Sequence, residues 1–188
     1  MARSMSCPPL LAAADDVRAD ASRAPTDVAQ ALCSQAPRLR RLVHRLLGWR
    51  AAADELDDVV QDVLLKAWNG RASFRGEASL ATWLTAIALS TTASHARARA
   101  RWRRLFGWFD REPAQPLPST DNDASQRAAA AMQRLRHDDR EVLVLRYLEQ
   151  RAIPEIAELL GCTRPAVDAR LSRARQRLRD LLGGTEEP

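Results

Sequence analysis

Lysine is nearly absent from this chain: Lys66 is the only one, and the other cationic side chains are arginine. Cysteine is scarce as well. Cys7, Cys33 and Cys162 stand singly, with no CxxC and no histidine pair beside them, which argues against a disulfide framework and against a zinc site. Cys33 reads as a small apolar side chain, and Cys162 falls in a break between two helices. No apolar run approaches the ~18 residues that a membrane span needs. The early PPLLAAA runs into Asp15 and Asp16 and makes a poor signal peptide. A cytoplasmic location without direct membrane insertion is therefore expected. The P-loop pattern is missing, and His44, His95 and His137 lie too far apart for a local ligand set. No metal, no cofactor and no enzyme activity are expected.

What is present is arginine, unevenly placed. Basic residues number 29 against 24 acids, a net charge of only +5, yet arginines crowd into 97–104 and 164–179. A genome bias towards arginine accounts for the choice of arginine over lysine but not for the clustering. Such clusters are the electrostatic footprint of a polyanion.

The stretch 152–182 carries the most information. Ile156, Leu159 and Leu160 have helical i, i+3, i+4 spacing, Gly161 supplies a left-handed stop, Thr163 is an N-cap, and Pro165 fits the first turn of a following helix. Val167, Leu171, Ala174 and Leu178 form one apolar stripe on that second helix, and six arginines cover much of the rest. A short helix, a glycine turn and a basic helix make a helix-turn-helix, whose second helix can lie in a DNA major groove.

Upstream, 1–26 reads as a disordered tail. A helix opens at Thr26 or Asp27 and runs to Leu47, with Pro37 as a kink or break and Gly48 as its stop. A second opens at Asp54 and closes at Gly70, with acids in its first turn, where the helix dipole favours them. A third, capped by Ser79, turns Leu80, Trp83, Leu84, Ile87 and Ala88 inward. It then becomes polar at Ser90, Ser94 and His95 and basic at Arg97, Arg99 and Arg101. Residues 108–126, with three prolines at 113, 116 and 118, read as a flexible linker. Nineteen residues at ~3.3 Å each reach ~60 Å, or about 18 base pairs at ~3.4 Å. Helix resumes at Arg127, and Asp138 or Asp139 caps the next, so that 127–184 forms a four-helix unit.

The segments DELDDVVQDVLLKAW and FRGEASLATWLTAIA resemble region 2 of the bacterial extracytoplasmic-function sigma factors, group 4 of the sigma-70 family. LRHDDREVLVLRYLEQ and IPEIAELLGCTRPAVDARLSRARQRLRDLL resemble region 4 of the same proteins. The resemblance implies an all-α protein of two small helical domains, region 2 at 27–107 and region 4 at 127–184. It implies an alternative sigma factor whose partners are core RNA polymerase (the beta-prime and beta subunits), promoter DNA and an anti-sigma factor. On that reading Asp58, Gln61, Asp62, Leu65 and Trp68 dock on polymerase. Trp83, Ser90, Ser94, His95, Arg97, Arg99 and Arg101 handle the −10 element. Thr163, Arg164, Asp168, Arg170, Ser172, Arg173 and Arg177 read the −35 element.

Several positions depart from the family pattern. The Arg-Asn that commonly follows Ile-Ala in region 2 is Leu89-Ser90 here, and a frequent acid or amide is Ser94. On the second helix of the helix-turn-helix, Asp168 and Ala169 replace a basic residue and a serine. Asp168 repels phosphate but can accept from cytosine N4. Two alternatives stay open: a stand-alone helix-turn-helix regulator of duplex DNA, and a sigma-like decoy that has lost promoter melting. The acid-led helix at 54–68 counts against the first, because such a face has no use on DNA.

Overall fold

The computed structural model describes residues 25–48, 51–106 and 123–183. Every regular element among them is a helix. Three long helices, α1 (Pro25–Leu47), α2 (Ala53–Gly70) and α3 (Leu80–Phe106), pack on one another as the N-terminal unit. The C-terminal unit holds α4 (Asp123–Arg134), α5 (His137–Leu143), α6 (Ile153–Leu160) and α7 (Arg164–Gly183). The all-α arrangement in two helical units is the one the periodicity predicts. The expected tail lies almost wholly, and the expected linker mostly, outside the described residues. Within them, α4 already begins at Asp123, ahead of Arg127.

Apolar spacing decides which faces turn inward. Leu39, Leu42, Val43 and Leu46 of α1 meet Leu56, Val59, Val60 and Val63 of α2. A smaller cluster of Leu32, Ala67 and Leu84 gathers Trp68, Leu80 and Trp83 around it. Pro37 does not break α1, which continues through it. Buried leucines on both sides of the proline hold the helix in place, and tertiary packing outweighs the lost hydrogen bond. Ser79 caps α3 as expected, its hydroxyl accepting from the Thr82 N–H at 3.1 Å. Thr85 and Thr92 are fully interior, which is affordable because each hydroxyl donates to a carbonyl four residues back, Ala81 at 2.7 Å and Ala88 at 2.9 Å.

Two expectations need correction. Neither Asp138 nor Asp139 caps α5; Arg136 holds that position and makes no side-chain cap. Asp139 is instead buried and paired with Arg177 of α7, a charged contact that a cap geometry would forgo. Cys33 is exposed rather than packed, while Cys162 is half-buried against the core. The segment after α5 also widens into a π turn, Val144–Leu148, before Gln150 takes a positive φ of 55°.

The two units share one interior. Leu46 and Leu89 belong to the same buried cluster as Val142, Leu145 and Ile156. Polar contacts line the seam. Arg140, which is buried, donates from Nε to the Leu46 carbonyl at the end of α1 at 2.9 Å and from Nη1 to the Leu135 carbonyl at 3.3 Å. Glu149 accepts from both Arg38 and Arg45 of α1, each at 3.1 Å.

Gly48 ends α1 at φ +96°, and a Cβ there would lie 2.8 Å from Arg140 Nη1. Gly161 ends α6 at φ +60° with nothing within 4 Å of such a Cβ. Gly48→Ala is therefore expected to lower unfolding stability by about 1–3 kcal/mol through strain plus displacement of Arg140, and Gly161→Ala by less. Urea denaturation of both variants checks the order; equal losses would remove Arg140 from the account.

Candidate nucleic-acid interface

Helix α7 buries Val167, Leu171 and Ala174 against the rest of its unit. At ~100° per residue, Ser172 and Arg173 lie on the side away from that stripe and Asp168 on its flank, all exposed. Thr163 and Arg164 are exposed where the helix begins, and the Thr163 carbonyl accepts from Val167 N–H at 3.1 Å. The turn before them is built as its residues demand: Gly161 is left-handed, and Cys162 N–H donates to the Ala157 carbonyl at 2.9 Å. The start of α6 is held by Glu155, whose carboxylate accepts from Ala152 N–H at 2.8 Å and thereby stays below the usual carboxylate pKa. Arg170 and Arg177 differ from the other expected base readers. They border the buried stripe and face α5, where Arg177 pairs with Asp139 and the Arg170 charge acts on Glu141.

Helix α3 sorts its polar residues onto two sides. Trp83, Ser90, Ser94, Arg97 and Arg101 fall at i, i+7, i+11, i+14 and i+18, one continuous stripe on an α-helix. Ser94 donates to the Ser90 carbonyl at 2.9 Å and accepts from Arg97 Nη2 at 3.0 Å. Trp83 is half-buried at the base of the stripe, its ring 5.0 Å from that of Phe74 and tilted by 38°. Periodicity alone gives no role to Phe74, since it sits in a loop. His95 and Arg99 turn the other way, towards α2. Arg99 donates to Glu55 at 2.9 Å, and His95 Nδ1 lies 3.6 Å from the same carboxylate. Leu89 is interior, so its departure from a common arginine is explained by packing against the shared core.

On α2, Asp58, Gln61, Asp62 and Leu65 share one exposed face, and Leu65 is 50% accessible. Trp68 is half-buried beside them with the Arg71 guanidinium 4.3 Å from its ring centroid. Acids and an exposed leucine suit a basic, amphipathic partner rather than a nucleic acid. Among the described residues no cluster of His, Cys, Asp or Glu could hold a metal, and no helix is long and apolar enough to cross a membrane.

Residues 34–102 match the family model for sigma-70 region 2, and residues 125–178 match that for sigma-70 region 4. The chain belongs to the extracytoplasmic-function sigma factors. It is 33% identical over 138 residues to the sigma factor YlaC of Bacillus subtilis, covering 69% of this chain and 79% of that one. It is 30% identical over 172 residues to the sigma factor SigG of Mycobacterium tuberculosis, covering 77% of this chain but only 46% of SigG. The chain thus spans about half the length of that relative. Among solved structures it resembles the sigma factor RpoE in complex with the anti-sigma factor NepR from Bartonella quintana, with 31% identity, a TM-score of 0.67, and coverage of 84% of this chain and 98% of that one. CnrH in complex with the cytosolic domain of CnrY is similar at 26% identity and a TM-score of 0.60, over 87% and 92% of the respective chains. The N-terminal unit is therefore region 2, and the C-terminal unit is region 4.

Titratable groups cluster where α5 meets α3 and α7. Burial, reinforced by the Asp138 charge, pushes Glu141 up to about 7, while Arg170 and Arg97 oppose the shift. Burial and then the Arg140 charge push His137 down to about 4, against the pull of Asp138 and the Leu46 carbonyl. A raised carboxylate stabilises the fold fully below its unfolded pKa near 4.5 and loses that contribution as pH rises through about 7. The lowered histidine costs stability as pH falls from 6.5 towards 4. The two slopes oppose each other near neutrality. Glu141→Gln leaves the histidine slope alone, so the urea midpoint should gain more between pH ~5.5 and ~7.5 in the variant than in the parent. Parallel profiles would contradict this assignment.

Proposed function

We propose that this chain is an alternative sigma factor that binds core RNA polymerase and directs initiation at a particular set of promoters. The observation that carries the reading is the pairing of opposite surfaces on region 2. α2 offers an acidic face with Leu65 exposed, and α3 offers a stripe of serine, tryptophan and arginine. A duplex-only regulator has no use for the first. An inert binding module has no use for the second.

On this reading Asp58, Gln61, Asp62 and Leu65, with Trp68 at the edge, dock on the beta-prime subunit. The stripe from Trp83 through Ser90, Ser94 and Arg97 to Arg101 receives the opened −10 strand. Aromatic and guanidinium planes repay the unstacking of bases, which costs a few kcal/mol per step. His95 and Arg99 support the stripe from behind through Glu55. Exposed Arg164, Asp168, Ser172 and Arg173 read the −35 element, and Arg170 and Arg177 reach phosphates from the flank. The protein acts in the cytoplasm by binding alone, with no cofactor or reaction of its own. Region 2 extends over 27–107 and region 4 over 127–184, joined by a linker at 108–126. An anti-sigma factor restrains it, in keeping with the complex of RpoE with the anti-sigma factor NepR.

Co-elution with core polymerase and run-off transcription from genomic fragments test the reading directly. Asp62→Ala combined with Leu65→Ala should weaken polymerase binding by about tenfold, in the range expected for truncating an exposed anchor. Arg173→Ala should leave polymerase binding intact and cost promoter binding about 1–3 kcal/mol. Promoter use unchanged by Arg173→Ala would remove α7 from the −35 element.

A further inference from the structure

Between region 2 and region 4 lies a cavity of about 700 Å³ whose walls come from both units. Its charge is lopsided. Arg97, Arg99, Arg134, Arg136 and Arg140 line it, and the carboxylates are Glu55 and Asp138. Two of the arginines are already engaged: Arg99 with Glu55, and Arg140 with the carbonyls of the seam. Arg97, Arg134 and Arg136 are exposed, and among the described residues none of them has an ion pair; Arg97 donates to the Ser94 hydroxyl, and its charge also acts on the buried Glu141.

The seam therefore brings Arg97 of α3 to the same cavity as Arg134 and Arg136 at the α4–α5 joint, across the contact between the units. Like charges brought to one cavity by both units oppose closure, in excess of the Glu55 and Asp138 carboxylates beside them. A bound anion reverses the sign of that term. Guanidinium forks match phosphate oxygens in paired hydrogen bonds. The volume is that of a small-molecule site. A duplex, whose major groove alone is ~12 Å wide, does not fit inside it.

We propose that the cleft between region 2 and region 4 binds an oligophosphate, free or carried on a nucleoside, through Arg97, Arg134 and Arg136. Because the three guanidiniums come from both units, binding favours the closed arrangement by linkage. It also withdraws Arg97 from the stripe that faces DNA. The phosphate site stands on the cavity and its charges, and only its effect on the α3 stripe rests on the proposed function.

Calorimetric titration of the full chain with sodium tripolyphosphate, and separately with ATP, provides the test. Saturable binding at one site is expected at ~0.15 M salt, where weak surface attraction is screened. The triple variant Arg97→Gln, Arg134→Gln, Arg136→Gln should weaken it about tenfold or more, and Arg173→Gln, on the exposed side of α7, by less than about twofold. All three side chains are exposed, so the fold should survive; Arg136→Gln alone serves if it does not. Equal affinity for the two probes assigns the site to the phosphate chain, and tighter ATP binding assigns it to a nucleotide. Small-angle scattering should show no expansion at saturation. No saturation up to ~1 mM, equal loss in Arg173→Gln, or expansion on binding would each overturn the proposal.

Discussion

The Arg140 guanidinium sits where one helix ends and another unit begins. A helix C-terminus leaves carbonyls without partners, and a buried cation needs acceptors. Here each satisfies the other: Arg140 reaches the last turn of α1 through Leu46 and its own unit through Leu135. Burial still lowers its pKa to about 10, and its charge helps to keep the neighbouring His137 neutral. Gly48 beside it takes a φ of +96°, and a Cβ there would lie 2.8 Å from Arg140 Nη1, so the guanidinium would have to move. Glu149 repeats the arrangement with the signs reversed, one nearly buried carboxylate holding two arginines of α1. These contacts surround the apolar seam through which Leu46 and Leu89 join the interior of region 4.

With the seam closed, the proposed binding surfaces are what the core leaves outside. The α2 face, the α3 stripe and the outward side of α7 remain exposed. On the proposed function, a linker of 19 residues that reaches ~60 Å when extended gives the two units room to separate at the seam. Opening releases buried polar groups to water, including the amide of Gln133 and the ring nitrogens of His137, which make no well-formed hydrogen bond among the described residues. Closure is consequently stabilised by apolar burial and Arg140 and opposed by these desolvated groups.

Much of this was legible along the chain. Helical spacing identified the inward faces of α2 and α7, glycines marked the ends of α1 and α6, and Ser79 marked the start of α3. The candidate surfaces came from the resemblance to sigma regions 2 and 4; periodicity adds only that residues off the apolar spacing face out. The expectation failed where a local signal met a distant partner. Asp139 looks like a cap in sequence, but a buried ion pair with Arg177 is available only after α5 and α7 have packed. Arg170 and Arg177 look like Arg173 in a basic run, and only the direction of the buried stripe separates them.

Sequence alone determined the helices, their order, the two units and the clustering of arginine, because each is a matter of local spacing and composition. Tertiary structure decided how those charges are used. It engaged Arg140 and Arg99, gathered Arg97, Arg134 and Arg136 around one cleft with no ion pair among the described residues, and placed Leu89 in the core. Pairing of charges depends on which surfaces meet, and residues as far apart as Leu46 and Arg140 carry no mark in the sequence that they will.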